Sequence, residues 1–295
     1  MCDKKLEFIL IKGTYHVVGT SPDGDTLKFK ANNKNNWKKI IGTPKFNTKD
    51  QTSLRIEGID ALETHYTPTL KGKKATETHQ PLALANSARD FLLKTLGIKN
   101  VVWSKTGSTV VSANDGVAGY ILTQGVDNNR FRRPVAFAFA GSTAKTDGST
   151  VCLTINELKN SANYKSLETG QSYPTYYKTL AANIRDEMTK AVLKARAAKL
   201  GIWSKDKSPQ FTFNNLQTIT DDVVIFPKLF RRLVEFIEGG GKIAAFGAFL
   251  QSKKDGVLVM PQADHKTSLD GVITVSGKIV KMHVLPENVI FDPQV

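Results

Sequence analysis

Between Ser53 and Thr64 the chain reads as a strand that ends abruptly in acid. Leu54, Ile56 and Gly58 alternate with Arg55, Glu57 and Ile59, so a period of two sends Arg55 and Glu57 to one face and the apolar pair to the other. Asp60 and Glu63 follow just past the strand, where a turn can aim both carboxylates into the volume near Arg55. Charges held that close either pair off structurally or serve a site. A second acidic turn lies upstream: Pro22-Asp23-Gly24 is a turn signal and Thr26-Leu27-Lys28-Phe29 resumes alternation. Asp25 therefore enters a strand directly from a tight turn, and can face Asp60 across a sheet.

With 295 residues the chain can hold one large or two modest domains with a full core. Of its net charge of +14, residues 1–203 carry +13. A basic balance of that kind fits a polyanion such as nucleic acid, and serves solubility equally well. Cys2 and Cys152 have no metal-ligand spacing and indicate neither a disulfide framework nor a zinc site. The only early apolar run, Leu6–Ile11, is too short for a signal peptide or a membrane span. The expectation is a soluble chain without an export signal, cytoplasmic by default, or exported if the sequence is a trimmed mature form with Cys2 as a lipidated first residue.

Along the chain, Leu6–Ile11 and Thr14–Gly19 read as strands, and the Asn- and Lys-rich stretch 30–50 as a basic excursion. Pro81 opens a helix with Leu84, Ala88, Phe91, Leu92 and Leu96 as its core stripe, and Gly97 ends it. Asn100–Ser104, Thr109–Ser112, Gly119–Thr123 and Val135–Phe139 read as closing strands of a small barrel, with 105–130 forming an added hairpin. A second helix is expected over Ile155–Thr169. A third presents Ile184, Met188, Ala191, Ala195 and Ala198 on one face. Lys205–Asn215 reads as a linker and Leu229–Ile237 as a short amphipathic helix after Pro227. From Ile243 the pattern alternates like strands. His265 and His283 stand alone and are assigned no role.

Several blocks together resemble the thermonuclease (staphylococcal nuclease-like) family. Its signature joins an Asp-Gly-Asp-Thr turn to an Arg-x-x-x-Ile-Asp-x-x-Glu-Thr strand end. Asp23-Gly24-Asp25-Thr26, and Arg55 with Ile59-Asp60-Ala61-Leu62-Glu63-Thr64, supply both. Leu62 stands where the family usually has Pro. A third block, Arg130-Phe131-Arg132-Arg133-Pro134-Val135-Ala136-Phe137, places Arg133 at the second catalytic arginine. Asp115–Tyr120 has the aromatic strand but no arginine. The segment Lys199–Ser204, with Trp203, is similar to the family's last helix. The resemblance spans about residues 14–206.

It implies an α+β fold: a five-stranded OB-fold β-barrel with about three helices over residues 1–206, followed by a C-terminal α/β extension, 207–295, of unknown role. It further implies a Ca²⁺-dependent endonuclease that cleaves DNA and RNA, preferably single-stranded or unstacked, and leaves 5′-hydroxyl and 3′-phosphate ends. Asp25 and Asp60 are then the carboxylate ligands, hard oxygens that suit Ca²⁺, with Mg²⁺ or Mn²⁺ as possible substitutes, and the Ala61 carbonyl completes the protein's share. Glu63 is the general base or water-orienting group, and Arg55 and Arg133 donate bidentate bonds to phosphate oxygens. Phe131, which stands where relatives often have Tyr, is a candidate substrate contact, as are Tyr173 and Tyr176, although tyrosines packing a helix junction are an equal alternative. A competing class is a binding module that keeps this barrel without catalysis.

Overall fold

The computed structural model describes residues 3–70, 72–128, 130–261 and 266–292. Its longest strands organise the first half. Glu7–His16 (β1) is one continuous strand where two were expected, because its middle residues stay extended to pair, Lys12 with Tyr120 and Gly13 with Gly119. Thr26–Ala31 (β2), Thr52–Ile56 (β3) and Ile59–Ala61 (β4) follow, then the helix Leu82–Thr95 (α1). Val102–Trp103 (β5) and Val110–Ser112 (β6) precede Val117–Val126 (β7), Pro134–Ala140 (β8) and Thr150–Cys152 (β9).

Strands run in the order β2-β3-β8-β7-β1, and β1 returns to pair with β2, so five strands close a barrel while β9 lengthens one edge. All its pairings are antiparallel except β3 with β8. Closure removes the free edges that an open sheet would expose. Alternation fills the interior: Leu10, Leu27, Phe29, Leu54, Ile56, Ile121 and Phe137 are buried. The expected strands at 100–104 and 109–112 do not join the barrel. They form a separate two-stranded ribbon, β5 with β6, beside which the Arg89 guanidinium stacks on Trp103 at 3.5 Å.

Helix α1 begins one residue after Pro81 and ends where Gly97 takes a positive φ of 86°. The expected second helix is two, Ile155–Asn160 (α2) and Ala162–Glu168 (α3). Ser161 between them is extended, and its hydroxyl accepts from the Tyr164 N–H as the N-cap of α3. Ser172–Pro174 (β10) pairs with β4, and Tyr176–Tyr177 (β11) precedes Ala182–Ala197 (α4). Ile184, Met188, Ala191 and Ala195 are buried on α4 as expected, joined by Val192, whereas Ala198 lies exposed past its end.

The 205–215 segment is packed rather than a free linker: Asp206 accepts from the Tyr173 hydroxyl, and Phe211 and Phe213 are buried. Phe211–Thr212 forms a strand (β12), followed by the helix Pro227–Glu238 (α5) with Pro at its first turn. The region after Ile243 opens with a helix, Phe246–Lys253 (α6), not with strands. Phe246 and Leu250, one helical turn apart, bury together. Gly256–Val259 (β13), Lys266–Ser268 (β14), the short helix Leu269–Val272 (α7), Ile273–Ser276 (β15), Ile279–Met282 (β16) and Val289–Phe291 (β17) complete the chain. Strand β17 pairs with β13 and also, in parallel, with β11, so the extension's sheet takes in Tyr176 and Tyr177.

Cys152 is disulfide-bonded, a cross-link the cysteine spacing had not indicated. Cys2 and His265 lie outside the described residues. Among those described, no helix is long and apolar enough to cross a membrane.

Candidate functional site

Two turns at one end of the barrel bring the acids together. Register places Thr26 opposite Arg55 in the β2–β3 pair, so Asp25 sits at the mouth of β2 beside the end of β3. The turn is tightly seated. A Cβ on Gly24 would come within 2.6 Å of the Ala61 Cβ and 2.9 Å of the Ala88 Cβ, so only glycine lets this turn approach both β4 and α1. Gly58, with φ of 75°, turns the chain from β3 into β4 and carries Asp60 back toward Asp25. The Ala61 N–H donates to Asp25 Oδ2 at 3.4 Å. Because an extended residue points its N–H and C=O to the same strand edge, the Ala61 carbonyl faces the Asp25 side too.

Past β4 the loop is fixed by a buried glutamine. The Gln80 side-chain oxygen accepts from the Glu63 N–H at 3.3 Å, its own N–H donates to the Glu63 carbonyl at 2.9 Å, and its amide nitrogen donates to the Ile225 carbonyl at 2.7 Å. The Thr64 hydroxyl donates to Asp23 Oδ1. Arg133 enters from β8's leading edge. Its backbone N–H and Nε donate to the two oxygens of Asp127, each at 2.9 Å, leaving Nη1 within 3.5 Å of the Thr26 hydroxyl. Asp25, Arg55, Asp60, Ala61, Glu63 and Arg133 thus lie near one another at this end of the barrel.

A residue the pattern did not flag sits among them. Arg231 of α5 donates from Nη1 to Asp60 Oδ1 at 3.0 Å, from Nη2 to Asp60 Oδ2 at 2.6 Å, and from Nη1 to Glu63 Oε1 at 2.5 Å. A signal existed. Pro227, Phe230 and Val234 form a buried stripe on α5, and Arg231 stands at the edge of that stripe, beside Pro227. A cation there calls for a buried anion. Arg232, next along, pairs instead with both oxygens of Asp255, at 2.6 and 2.7 Å, and pins the helix from its other side.

Burial and charge set the protonation states. Asp60 is fully buried, which alone would raise its pKa, but Arg231 and then Arg55 hold it below the usual carboxylate range. Burial pushes Glu63 up to about 8; Arg231 opposes this, while Asp23, Asp60 and Asp25 reinforce it. Asp23 is pushed up to about 7 by burial and by Asp25. Burial pulls Arg55 down, but Tyr177, Asp25 and Asp60 more than offset it and keep the guanidinium charged. The site therefore sets a carboxylate held ionised by arginine beside one that burial and neighbouring acids make more basic than usual.

The donors suit a hard divalent cation: Asp25 and Asp60 offer carboxylate oxygens and Ala61 a carbonyl. Asp60, however, has both oxygens engaged by Arg231, and among the described residues no group of three or more His, Cys, Asp or Glu is arranged to hold a metal ion. The chemistry of the set fits, and its occupancy by a guanidinium is the feature a cation would have to overcome.

The expected substrate contacts divide. Phe131 is 53% exposed, with the guanidinium carbons of Arg130 and Arg133 at 4.8 and 5.8 Å from its ring centroid. Tyr173 and Tyr176 are buried and offer no face to a substrate, which corrects their assignment. Tyr173 packs edge-on against Trp203 and donates to Asp206 at 2.7 Å, and the Tyr176 hydroxyl accepts from Thr189. They are the helix-junction tyrosines of the alternative reading. Compared with protein-family models and with curated proteins, the chain has no significant match.

Proposed function

We propose that this chain is a divalent-cation-dependent endonuclease that hydrolyses phosphodiester bonds of DNA and RNA with little discrimination between sugars, on a barrel of the OB, staphylococcal nuclease-like kind. One observation carries the reading. Asp25, Arg55, Asp60, Glu63 and Arg133, drawn from three separate stretches of sequence, meet around the turn at Gly24 and the end of β4.

Phosphodiester hydrolysis needs a positioned water, a base for its proton, and positive charge where the phosphorane oxygens become more negative. Calcium, or magnesium or manganese in its place, held by Asp25, Asp60 and the Ala61 carbonyl, would supply a Lewis acid and template for the phosphate. Glu63, whose proton affinity burial raises above that of an ordinary carboxylate, is a stronger base than a solvated glutamate once ionised. Arg55 and Arg133 would donate to phosphate oxygens in a planar fork that lysine lacks, and Asp127 fixes the direction of Arg133. Phe131 offers an exposed face for an unstacked base.

Fragment ends test this reading. A single-stranded oligonucleotide incubated with the protein and calcium should yield 5′-hydroxyl and 3′-phosphate termini, and 5′-phosphate products would contradict the proposed bond cleavage. A non-catalytic nucleic-acid-binding module is the second reading, favoured by the engagement of Asp60 and Glu63 with Arg231. It predicts salt-sensitive oligonucleotide retention with no cleavage at all.

A further inference from the structure

We propose that Arg231 is a tethered cation that competes with a divalent metal ion for Asp60, so that the C-terminal extension keeps the site latent until metal displaces the guanidinium. The inference rests on the reading of Asp60 as a cation ligand. Arg231 covers both Asp60 oxygens and one Glu63 oxygen, which are the groups that reading assigns to metal binding and proton transfer. One side chain thus occupies two functions at once.

The arrangement holds the helix by contacts other than Arg231. Leu229, Phe230, Leu233 and Val234 of α5 are fully buried, Arg232 and Lys228 both pair with Asp255, and Gln80 ties Ile225 to the Glu63 loop. The Arg231 side chain keeps 21% of its surface exposed, as do those of Lys228 and Arg232. Helix α5 therefore has anchors that do not depend on Arg231, and displacement asks only that one side chain to move. Displacement needs a group of equal or higher charge at Asp60, and a divalent cation on hard oxygens meets that need. No movement of the extension as a whole is required.

Calcium calorimetry on the full chain tests this, with Arg231→Ala, Arg231→Gln, Arg231→Lys, Asp60→Asn and the Arg231→Gln/Asp60→Asn pair. Removing a cation in direct contact with the ligand should tighten calcium binding about tenfold or more in the Ala and Gln variants. Lys should fall between them and wild type, because it keeps the charge but cannot span both oxygens. Asp60→Asn should abolish the gain. Circular dichroism checks folding, and Gln or Lys carries the test if Ala fails to fold. Should all three fail, wild type decides alone: a protected arginine Nη–H signal, assigned by its loss in Asp60→Asn, should disappear on adding calcium, and its persistence with calcium bound would overturn the proposal.

Equal calcium affinity in wild type and Arg231→Gln, or no calcium binding by any variant, would also overturn it. Cleavage of single-stranded DNA, followed in the same samples, separates the two claims. Tighter binding without cleavage leaves the competition standing and sinks the nuclease reading; cleavage with unchanged affinity does the reverse.

Discussion

Arg231 and Asp60 lie 171 positions apart in sequence and form a two-pronged ion pair, with nitrogen–oxygen distances of 3.0 and 2.6 Å, in which the carboxylate is wholly buried. Breaking such a pair from one side leaves a buried charge without its partner, which typically costs about 3–5 kcal/mol. Arg55 softens that penalty here. Arg231→Ala should therefore lose about 2–3 kcal/mol of stability in chelator, by urea denaturation, and regain part of it with calcium. A variant as stable as wild type in chelator would show that the pair is not formed in solution.

Arg133 is aimed by Asp127, and the two should fail together. Replacing Arg133 with Lys removes the planar fork and should lower turnover by roughly 10²–10³ with little change in melting temperature. Asp127→Ala, which touches no substrate, should lower turnover by about tenfold through loss of orientation. Normal turnover in Arg133→Lys would remove that residue from the chemistry.

The exposed and buried aromatics make opposite predictions. Phe131→Ala should weaken oligonucleotide binding by about 1–3 kcal/mol and cost little stability, because the ring is 53% exposed and packs only partly, against Arg130 and Arg133. Tyr173→Ala should instead destabilise the fold by about 3–5 kcal/mol, the range for deleting a large buried aromatic. Equal effects of the two on binding would contradict the division drawn between them.

Glu57 gives a pH signature. Burial pushes its carboxyl up to about 7, with Arg55 opposing, against an ordinary value of 4.5. Between those values the folded chain holds a proton that the unfolded chain has released, so this group's contribution to stability falls as pH rises from about 4.5 to about 7 and is flat above. Glu57→Gln should gain up to about 3 kcal/mol over wild type at pH 8 and nothing at pH 4, by denaturation at each pH. An equal gain at both would assign the effect to packing instead of ionisation.

The acidic turns were legible because they are local: Pro22-Asp23-Gly24 dictates a turn and the alternation around Arg55 dictates a strand, so their meeting needed only a sheet. Helix α1 was legible for the same reason, with Pro81 at one end and Gly97 at the other. What failed was long-range. Nothing near Tyr173 or Tyr176 reveals that Asp206 and Thr189 satisfy their hydroxyls and let both rings bury. Ser161 was read as helix interior although its hydroxyl is suited to an N-cap, and the competing local bond won. Arg231 lies at the edge of an apolar stripe, but the stripe could not say which carboxylate it would find.

The account turns on Glu63 acting as the base at a site completed by a cation. The most direct measurement is the cleavage rate of a single-stranded DNA oligonucleotide by wild type and by Glu63→Gln, each at saturating calcium and in chelator. Wild type should cleave only with calcium, and Glu63→Gln should be slower by about 10²–10⁴ while folding and binding oligonucleotide as before. Cleavage by Glu63→Gln at the wild-type rate, or none by wild type with calcium, magnesium or manganese while oligonucleotide still binds, would contradict it.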